Sequence, residues 1–215
     1  FFNENKSIVF SGWINEEYSP GILIEEEISK INIKNYANKD LEDSFLWVVV
    51  KGSDSRITAL SLGQIESKKW TINSVELKNI KYPARLIAVE VYEPSSEDNS
   101  KPFELSLSSI ELINSNNNLV KTIPFDRSLN WTELPTSEGF DSTISYNSEG
   151  LILNLGNGST KGIRGMYLSN YDQGIPVIVN NKFIEETEIE IGEKFIFNAS
   201  GSYIPMKIER EINYF

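Results

Sequence analysis

Six consecutive apolar residues, Phe45 to Val50, constrain the fold of this chain more than any other stretch. The run is rich in β-branched and aromatic residues and is short, so it predicts a central β-strand covered on both faces rather than a helix. Turn-forming residues follow at Lys51 to Ser55, and Arg56 to Leu62 returns with alternating apolar positions. The pattern predicts a β-hairpin in the middle of a sheet.

Short β-rich segments separated by turn residues recur through most of the 215 residues. Besides the hairpin, the clearest predicted strands are Ser7–Ile14, Ile22–Ile24, Ile28–Lys34, Arg85–Tyr92, Phe103–Ile113 and the segment that holds Leu151, Leu153 and Leu155. We predict Asn35 to Ser44 as a polar connection. This spacing is typical of a β-sandwich, and we predict a mainly β protein whose first part is a jelly-roll β-sandwich.

In two predicted strands the apolar residues change from even to odd positions, or the reverse, partway along. In a regular strand this would move them from one face of the sheet to the other. The strand that Trp70 opens changes parity near Asn73-Ser74, and Phe103–Ile113 changes at Ser108-Ser109. One extra residue at each point, a β-bulge, would keep the apolar side chains of both strands facing inward. In the first of these strands, the side chains predicted to face inward are Trp70, Ile72, Val75 and Leu77.

The last fifty or so residues have a different character. Ile175–Val179 reads as a strand, Asn180 or Asn181 can cap a short helix over Lys182–Glu188, and two further strands end the chain. We predict a small α+β subdomain over residues 169–215. The sandwich is predicted over residues 6–116, and residues 119–168 either close it or begin a second unit.

Composition excludes several kinds of chemistry. The formal net charge of −11 disfavours a nucleic-acid partner, because binding to phosphates needs a basic surface. The sequence has no cysteine and no histidine, so it lacks disulfides, thiolate nucleophiles and the usual zinc ligands. It begins at Phe1 without Met and holds no apolar run near ~20 residues, so we expect a piece of a longer protein.

Four aromatic residues lie at predicted strand ends or in loops, where a ring can stack on a sugar: Trp13, Tyr18, Tyr82 and Tyr92. Half-buried packing is the alternative for all four, because a polar tip suits such a residue to a rim without any ligand. Trp47 lies inside the apolar run, where we predict core packing.

The acidic residues do not point to a specific metal site or catalytic site. Glu16-Glu17 and Glu25–Glu27 could supply oxygen ligands to calcium, but they lack the spacing of a dedicated loop. Glu90 with Glu93 could serve as the carboxylate pair of a glycosidase, although an acidic sandwich offers many such pairs. We therefore predict no metal, no cofactor and no catalytic residues.

The first half of the chain resembles galactose-binding-like jelly rolls and carbohydrate-binding modules. The resemblance covers roughly Ser7 to Ile113 and is carried by "FLWVVVKGSDSRITALSLG", "KKWTINSVEL", "ARLIAVEVYE" and "LSLSSIELI". In such modules a Trp typically starts the strand after a loop, and an acidic residue in the last strand helps to hold calcium. Here Ser108 and Ser109 stand at that place, which departs from the calcium pattern.

The end of the chain resembles the extracytoplasmic part of large FtsX-like (MacB-type) permeases of ABC transporters. The segments that carry this resemblance are Ile175-Pro176-Val177, Lys182-Phe183-Ile184, Ile191-Gly192-Glu193, Ile204 to Ile208, and Tyr214-Phe215. The chain departs from the family at Glu209 to Glu211, where small apolar residues are more usual.

The permease resemblance implies a non-catalytic domain at the extracytoplasmic face of a cell membrane. Its partners would be the parent membrane segments, an ABC ATPase subunit, and a transported substrate or partner protein. The alternative is a free carbohydrate-binding or adhesion module, which would need an exposed aromatic platform with polar neighbours.

Overall fold

The computed structural model describes residues 21–39, 41, 43–93, 102–134, 142–156, 164–168, 175–199 and 202–212. The chain divides into two compact units, one spanning Ile22–Leu168 and the other containing the described residues from Ile175 to Ile212. The predicted strand Ser7–Ile14 and the candidate residues Trp13 and Tyr18 lie outside the described residues.

Strands make up most of the described chain, with one short helix among them. In chain order they are β1 (Ile22–Ile24), β2 (Lys30–Ala37), β3 (Phe45–Lys51), β4 (Ile57–Gln64), β5 (Thr71–Glu76), β6 (Ala84–Tyr92), β7 (Phe103–Ile113), β8 (Leu119–Pro124), β9 (Trp131–Glu133), β10 (Thr143–Asn147), β11 (Gly150–Leu155), β12 (Arg164–Leu168), β13 (Ile175–Asn180), α1 (Asn181–Thr187), β14 (Lys194–Ala199) and β15 (Ser202–Ile212).

The first sheet has the strand order β4-β3-β6-β12-β9. The edge of β6 that faces away from β3 is shared, because β1 pairs with its residues 84–86 and β12 with its residues 88–91. The predicted hairpin is confirmed, since β3 and β4 pair antiparallel from Phe45–Gln64 to Lys51–Ile57. Leu46, Val48, Val49 and Val50 are all buried, so β3 is covered on both faces as predicted.

The second sheet has the order β10-β11-β7-β2-β5. The edge of β7 that faces away from β2 is shared by two strands, because β11 pairs with its residues 103–107 and β8 with its residues 109–113. The described strands of residues 119–168 are divided between the two sheets, so they belong to the same unit as the strands before them.

One hydrophobic core joins the two sheets. The first sheet contributes residues such as Val48 and Leu86, and the second contributes Ile33, Leu107 and Leu153, each at most 1% exposed. Alternate residues of antiparallel strands point to opposite faces, so each strand offers its apolar side to this layer. The mainly β sandwich predicted from the sequence is therefore confirmed.

One of the two predicted bulges is confirmed and the other is wrong. In β7, the register passes from Ser109 opposite Lys34 to Leu107 opposite Asn35, which leaves Ser108 as the extra residue. In β5, the pairing with β2 runs without a shift from Thr71 to Glu76. Ile72 consequently faces outward and is 58% exposed, because no extra residue changes its side of the sheet.

Strand β2 extends farther than the sequence predicted. Residues 35–37 were expected in a polar connection, but they continue the pairing with β7 as far as Ala37 opposite Leu105. Asn35 is fully buried, and its side-chain nitrogen donates a hydrogen bond to the side-chain oxygen of Asn73. This partner satisfies a polar group that would otherwise be costly inside a strand.

The second unit contains a three-stranded sheet in the order β13-β15-β14. β13 and β15 pair in parallel, and β14 and β15 form an antiparallel hairpin. The predicted helix is confirmed as α1, which is capped by Asn180 because its side-chain oxygen accepts a 2.9 Å hydrogen bond from the Phe183 N–H. Among the described residues, no helix has the length and hydropathy of a membrane span.

Candidate functional site

Of the two described candidates, Tyr92 ends β6 and Tyr82 lies two residues before its start. They are separated by ten residues, which is about 30 Å in an extended strand. The structure therefore does not bring them together into one platform.

Tyr82 has a structural role in the sandwich. It packs against the hydrophobic core, and its hydroxyl donates a 2.8 Å hydrogen bond to the backbone carbonyl of Ile28. Burial raises the pKa of the Tyr82 phenol, and only the protonated hydroxyl can donate the hydrogen bond to Ile28. The packing alternative for this residue thus has direct structural support.

Tyr92 is the more exposed of the two, with 37% of its surface accessible. Its ring meets the edge of Trp47 at a centroid distance of 5.9 Å and an interplanar angle of 79°. Trp47 alternates with the core residues Leu46 and Val48, so it projects from the outer face of the first sheet and is half-buried there. The prediction that Trp47 packs in the core is therefore wrong.

The carboxylates of Glu90 and Glu93 do not form a pair. Glu90 is in register with Trp47 and shares its outer face, where it is buried. Glu93 instead forms an ion pair with Arg164, which alternates with Gly165 and lies on the core side with Val91. The two carboxylates point to different sides of the sheet, as alternation along a strand requires.

Arg164 organises the end of the sandwich where β6, β11 and β12 meet. It is 1% exposed, its guanidinium donates a 2.7 Å hydrogen bond to the carbonyl of Gly156, and it stacks over Phe103 at 5.5 Å. The other oxygen of Glu93 accepts a hydrogen bond from the Ser44 hydroxyl. Nearly every polar group of this cluster has an ionic or hydrogen-bonding partner. The cluster therefore has a structural role, which is to hold these strands together.

An aromatic cluster missed by the sequence analysis lies on the outer face of the second sheet. The rings of Tyr36 and Trp70 are 5.7 Å apart at a tilt of 40°, and the Lys34 ammonium lies 5.3 Å from the Trp70 centroid. Both rings are half-buried, and the exposed Ile72 is in register with Lys34. Aromatic surface, a cation and an apolar neighbour thus meet on one accessible face.

The sequence analysis placed Trp70 at the start of a strand, immediately before β5, but predicted that its side chain faces inward. Because β5 has no bulge, Trp70 lies on the outer face instead. The contribution of Tyr36 could not be seen, because it was predicted to lie in a connection rather than in β2.

Two shallow depressions are described on the sandwich, and neither contains Tyr82 or Tyr92. One of ≈ 360 Å³ lies between β1 and β8, with Leu23, Leu112 and Val120 in its lining. The other, of ≈ 470 Å³, is bordered by Phe103 and Asn154. Within the described ranges, no group of three or more acidic side chains is placed to hold a metal ion.

We compared the chain with protein-family models, curated proteins and solved structures, and none of these comparisons gave a match.

Proposed function

We propose that this chain is a non-catalytic extracytoplasmic domain of an FtsX-like permease of an ABC transporter. In that role, the jelly-roll-type sandwich predicted from the sequence would contact a transported substrate or a partner protein. The domain would move with the parent membrane segments, and an ABC ATPase subunit would supply the energy. Its contacts would have to differ between two states of the transporter, because only differential contacts shift an equilibrium.

The observation that carries this proposal is the second unit. The described residues from Ile175 to Ile212, which hold most of the resemblance to these permeases, form a mixed sheet with a capped helix. This sheet belongs to a different compact unit from the sandwich. A sandwich inserted into a permease's extracytoplasmic region predicts such a division.

Protease accessibility tests the proposed location. The turn Asn114–Asn118 is exposed at Asn116 and links β7 to β8, so it should accept an inserted protease site. In cells expressing the full-length gene product, we expect added protease to cut this site before lysis. The same site placed in the ATPase subunit should be cut only after lysis. Cutting of both sites only after lysis would contradict the proposal.

Co-purification tests the proposed assembly. The full-length protein, solubilised from membranes, should retain an ABC ATPase subunit. A membrane preparation that contains the protein but no ATPase would refute the transporter role.

Glycan binding is a second candidate function, and the Tyr36–Trp70 cluster favours it. Trp70→Ala should weaken binding to immobilised glycans at least tenfold, equivalent to about 1.4 kcal/mol. Tyr92→Ala is the matched control, because it removes an exposed aromatic residue from the other sheet. No binding across a broad glycan panel, or equal loss in both variants, would reject this function.

A further inference from the structure

The outer edge of β5 has no strand beside it in the described part of the chain. β5 stands at the end of its sheet and pairs with β2 alone. The Leu77 N–H donates a 2.8 Å hydrogen bond to the Ser29 carbonyl next to this ladder, so the backbone groups of odd-numbered residues point towards β2. By alternation, the N–H and carbonyl groups of Ile72, Ser74 and Glu76 point away from the sheet, and no described group pairs with them.

The sandwich protects its other described edges in ways that β5 lacks. β1 and β9 are only three residues long. β8 contains a register shift and ends at Pro124, and β10 has its Ile144 N–H bonded to the Glu133 carboxylate. Two carbonyls of β4 are bonded to the Asn73 side chain. Such features prevent the addition of a further strand, whereas the six residues of β5 run in unbroken register with β2 and leave the outer edge ready to pair.

Apolar side chains lie next to this edge on the outer face of the sheet. Ile72 is 58% exposed, and Trp70, which stands immediately before β5, packs on Tyr36 with its ring half-buried. A strand added to β5 would place every second side chain on the same face, directly beside these residues. Main-chain hydrogen bonds would then supply affinity, and the apolar contacts would select apolar residues at alternate positions of the added strand.

The surroundings of the edge are positively charged in a chain whose net charge is −11. Five lysines and two glutamates lie on β5, on its flanks and opposite it on β2: Lys30, Lys34, Lys68, Lys69 and Lys78 against Glu66 and Glu76. Both glutamates already form ion pairs, with Lys69 and Lys78. The surplus of positive charge favours an acidic partner. It also disfavours a second copy of this chain on the same edge, because the lysines of the two copies would then face each other.

We propose that the outer edge of β5 binds an extended segment of a partner protein as an additional β-strand. The segment is apolar at alternate positions, which pack against Ile72 and Trp70, and acidic towards its ends, which lie near Lys69 and Lys78. Its backbone forms the hydrogen bonds that Ser74 and the other even-numbered residues leave open. For a permease domain, the segment would belong to the partner protein of the proposed function, and only that assignment rests on the proposed function.

Titration calorimetry with a synthetic peptide tests the site. The probe has about ten residues, with valine and threonine alternating in the middle and a pair of acidic residues at each end. The wild-type chain should bind it, and Ser74→Pro should weaken binding at least about tenfold, because the ring removes the outward N–H and obstructs the edge. Ile72→Glu should weaken binding by a similar factor, since it replaces an exposed apolar contact by a negative charge. Val120→Glu makes a like change at an exposed residue of β8 and should bind as the wild type does.

Two further variants are controls for Ser74→Pro. Ser74→Ala removes the hydroxyl that donates to Asn32 but keeps the backbone N–H, so binding should be retained. Thr122→Pro places proline at an outward position of another edge strand, because the Phe125 N–H donates to the Ser108 carbonyl and alternation turns the Thr122 N–H away from β7. It should also retain binding. Equal losses in Ser74→Pro and Thr122→Pro would overturn the proposal.

The peptide backbone and the amide protons of β5 show whether the edge itself is used. N-methylation of one alternate set of peptide residues should abolish binding, and N-methylation of the other set should not, because only one set donates to β5. Bound peptide should slow hydrogen exchange at the Ile72 and Ser74 amides at least about tenfold. Equal effects of the two methylation patterns, or unchanged exchange at saturation, would overturn the proposal.

Sedimentation of the chain alone tests the alternative occupant. The wild-type chain should remain monomeric without peptide. A concentration-dependent dimer that Ser74→Pro abolishes would assign the edge to a second copy of this chain and overturn the peptide proposal, and so would the absence of binding to the probe peptide. All of these measurements use the isolated chain, so failure of the permease proposal would leave them unaffected.

Discussion

The side-chain nitrogen of Asn35 donates a 2.8 Å hydrogen bond to the side-chain oxygen of Asn73, which joins β2 to β5 in a buried position. The side-chain nitrogen of Asn73 in turn donates to the carbonyls of Leu62 at 3.3 Å and Gln64 at 2.9 Å, both in β4. β4 and β5 are edge strands of different sheets. Asn73 therefore closes one side of the sandwich through hydrogen bonds.

Replacing Asn73 should destabilise the sandwich strongly. Asn73→Ala leaves the buried Asn35 nitrogen without this acceptor and two carbonyls without this donor, so the free energy of unfolding should fall by about 2–3 kcal/mol. Denaturant titration measures the change. Asn38→Ala is the control, because the exposed Asn38 side chain also makes two hydrogen bonds, both with Glu104. Similar losses in the two variants would show that burial of the Asn73 network is unimportant.

Breaking the Arg164–Glu93 ion pair should cost more than removing it. Arg164→Ala leaves a largely buried carboxylate without its partner, and we expect a loss of about 3–5 kcal/mol in the free energy of unfolding. Combining Arg164→Met with Glu93→Gln should restore much of that loss, because no buried charge remains. Lys78→Ala, which breaks an exposed ion pair, should have no measurable effect. Additive losses in the double variant would argue against a coupled buried pair.

Tyr167 should make the sandwich sensitive to high pH. Burial raises the pKa of its phenol from 10.0 to about 12, although a hydrogen bond with Thr132 opposes the shift. The folded state thus holds this proton more tightly than the unfolded chain. The resulting stability is complete below about pH 10 and is lost as the pH rises through about 12, a change of up to about 3 kcal/mol.

Absorbance and denaturant titrations check the Tyr167 prediction. Tyr167→Phe should remove a late phase from the tyrosinate titration and flatten the decline in stability above about pH 10. Tyr92→Phe should keep the late phase, because it leaves Tyr167 in place. A late phase that persists in Tyr167→Phe would assign it to another residue.

Gly165 should tolerate no side chain. A Cβ at this position would lie 2.3 Å from the Val89 carbonyl oxygen and 2.8 Å from the Glu90 Cα, both backbone atoms of β6. We expect Gly165→Ala to lower the free energy of unfolding by about 2–4 kcal/mol, because a strand must move. Gly192→Ala meets no atom within 4 Å and pays only for its φ of +94°, so its loss should be about 1 kcal/mol. Equal losses would contradict the role of close packing.

Long apolar patterns were enough to predict the central strands. The burial or exposure of single residues nearer the sheet edges could not be predicted in this way. β3 and β7 carry several inward-facing apolar residues each, so their positions follow from local sequence. On β2 and β5 the pattern misleads, because Asn35 is buried and Ile72 is exposed. The burial of Asn35 depends on Asn73, a partner 38 residues away, which no local pattern reveals.

The candidate surfaces were harder to predict for the same reason. Tyr82 was selected for its position, but its hydroxyl is occupied by the carbonyl of Ile28, 54 residues away. The contact between Tyr36 and Trp70 depends on the register between β2 and β5, which places Asn35 opposite Thr71. Such neighbours become visible only when the sheet pairings are known.

The shared edges of β6 and β7 imply an order of opening for the sandwich. Each strand has one partner along its length on one side and two shorter partners in succession on the other, so it can detach only after several ladders have broken. Amide hydrogens at Val89 and Leu107 should therefore exchange with solvent only through global unfolding, while those of the outlying β10 exchange through local fraying. The two strands should therefore form the slowest-exchanging centre of the unit, with exchange becoming faster towards the outlying strands.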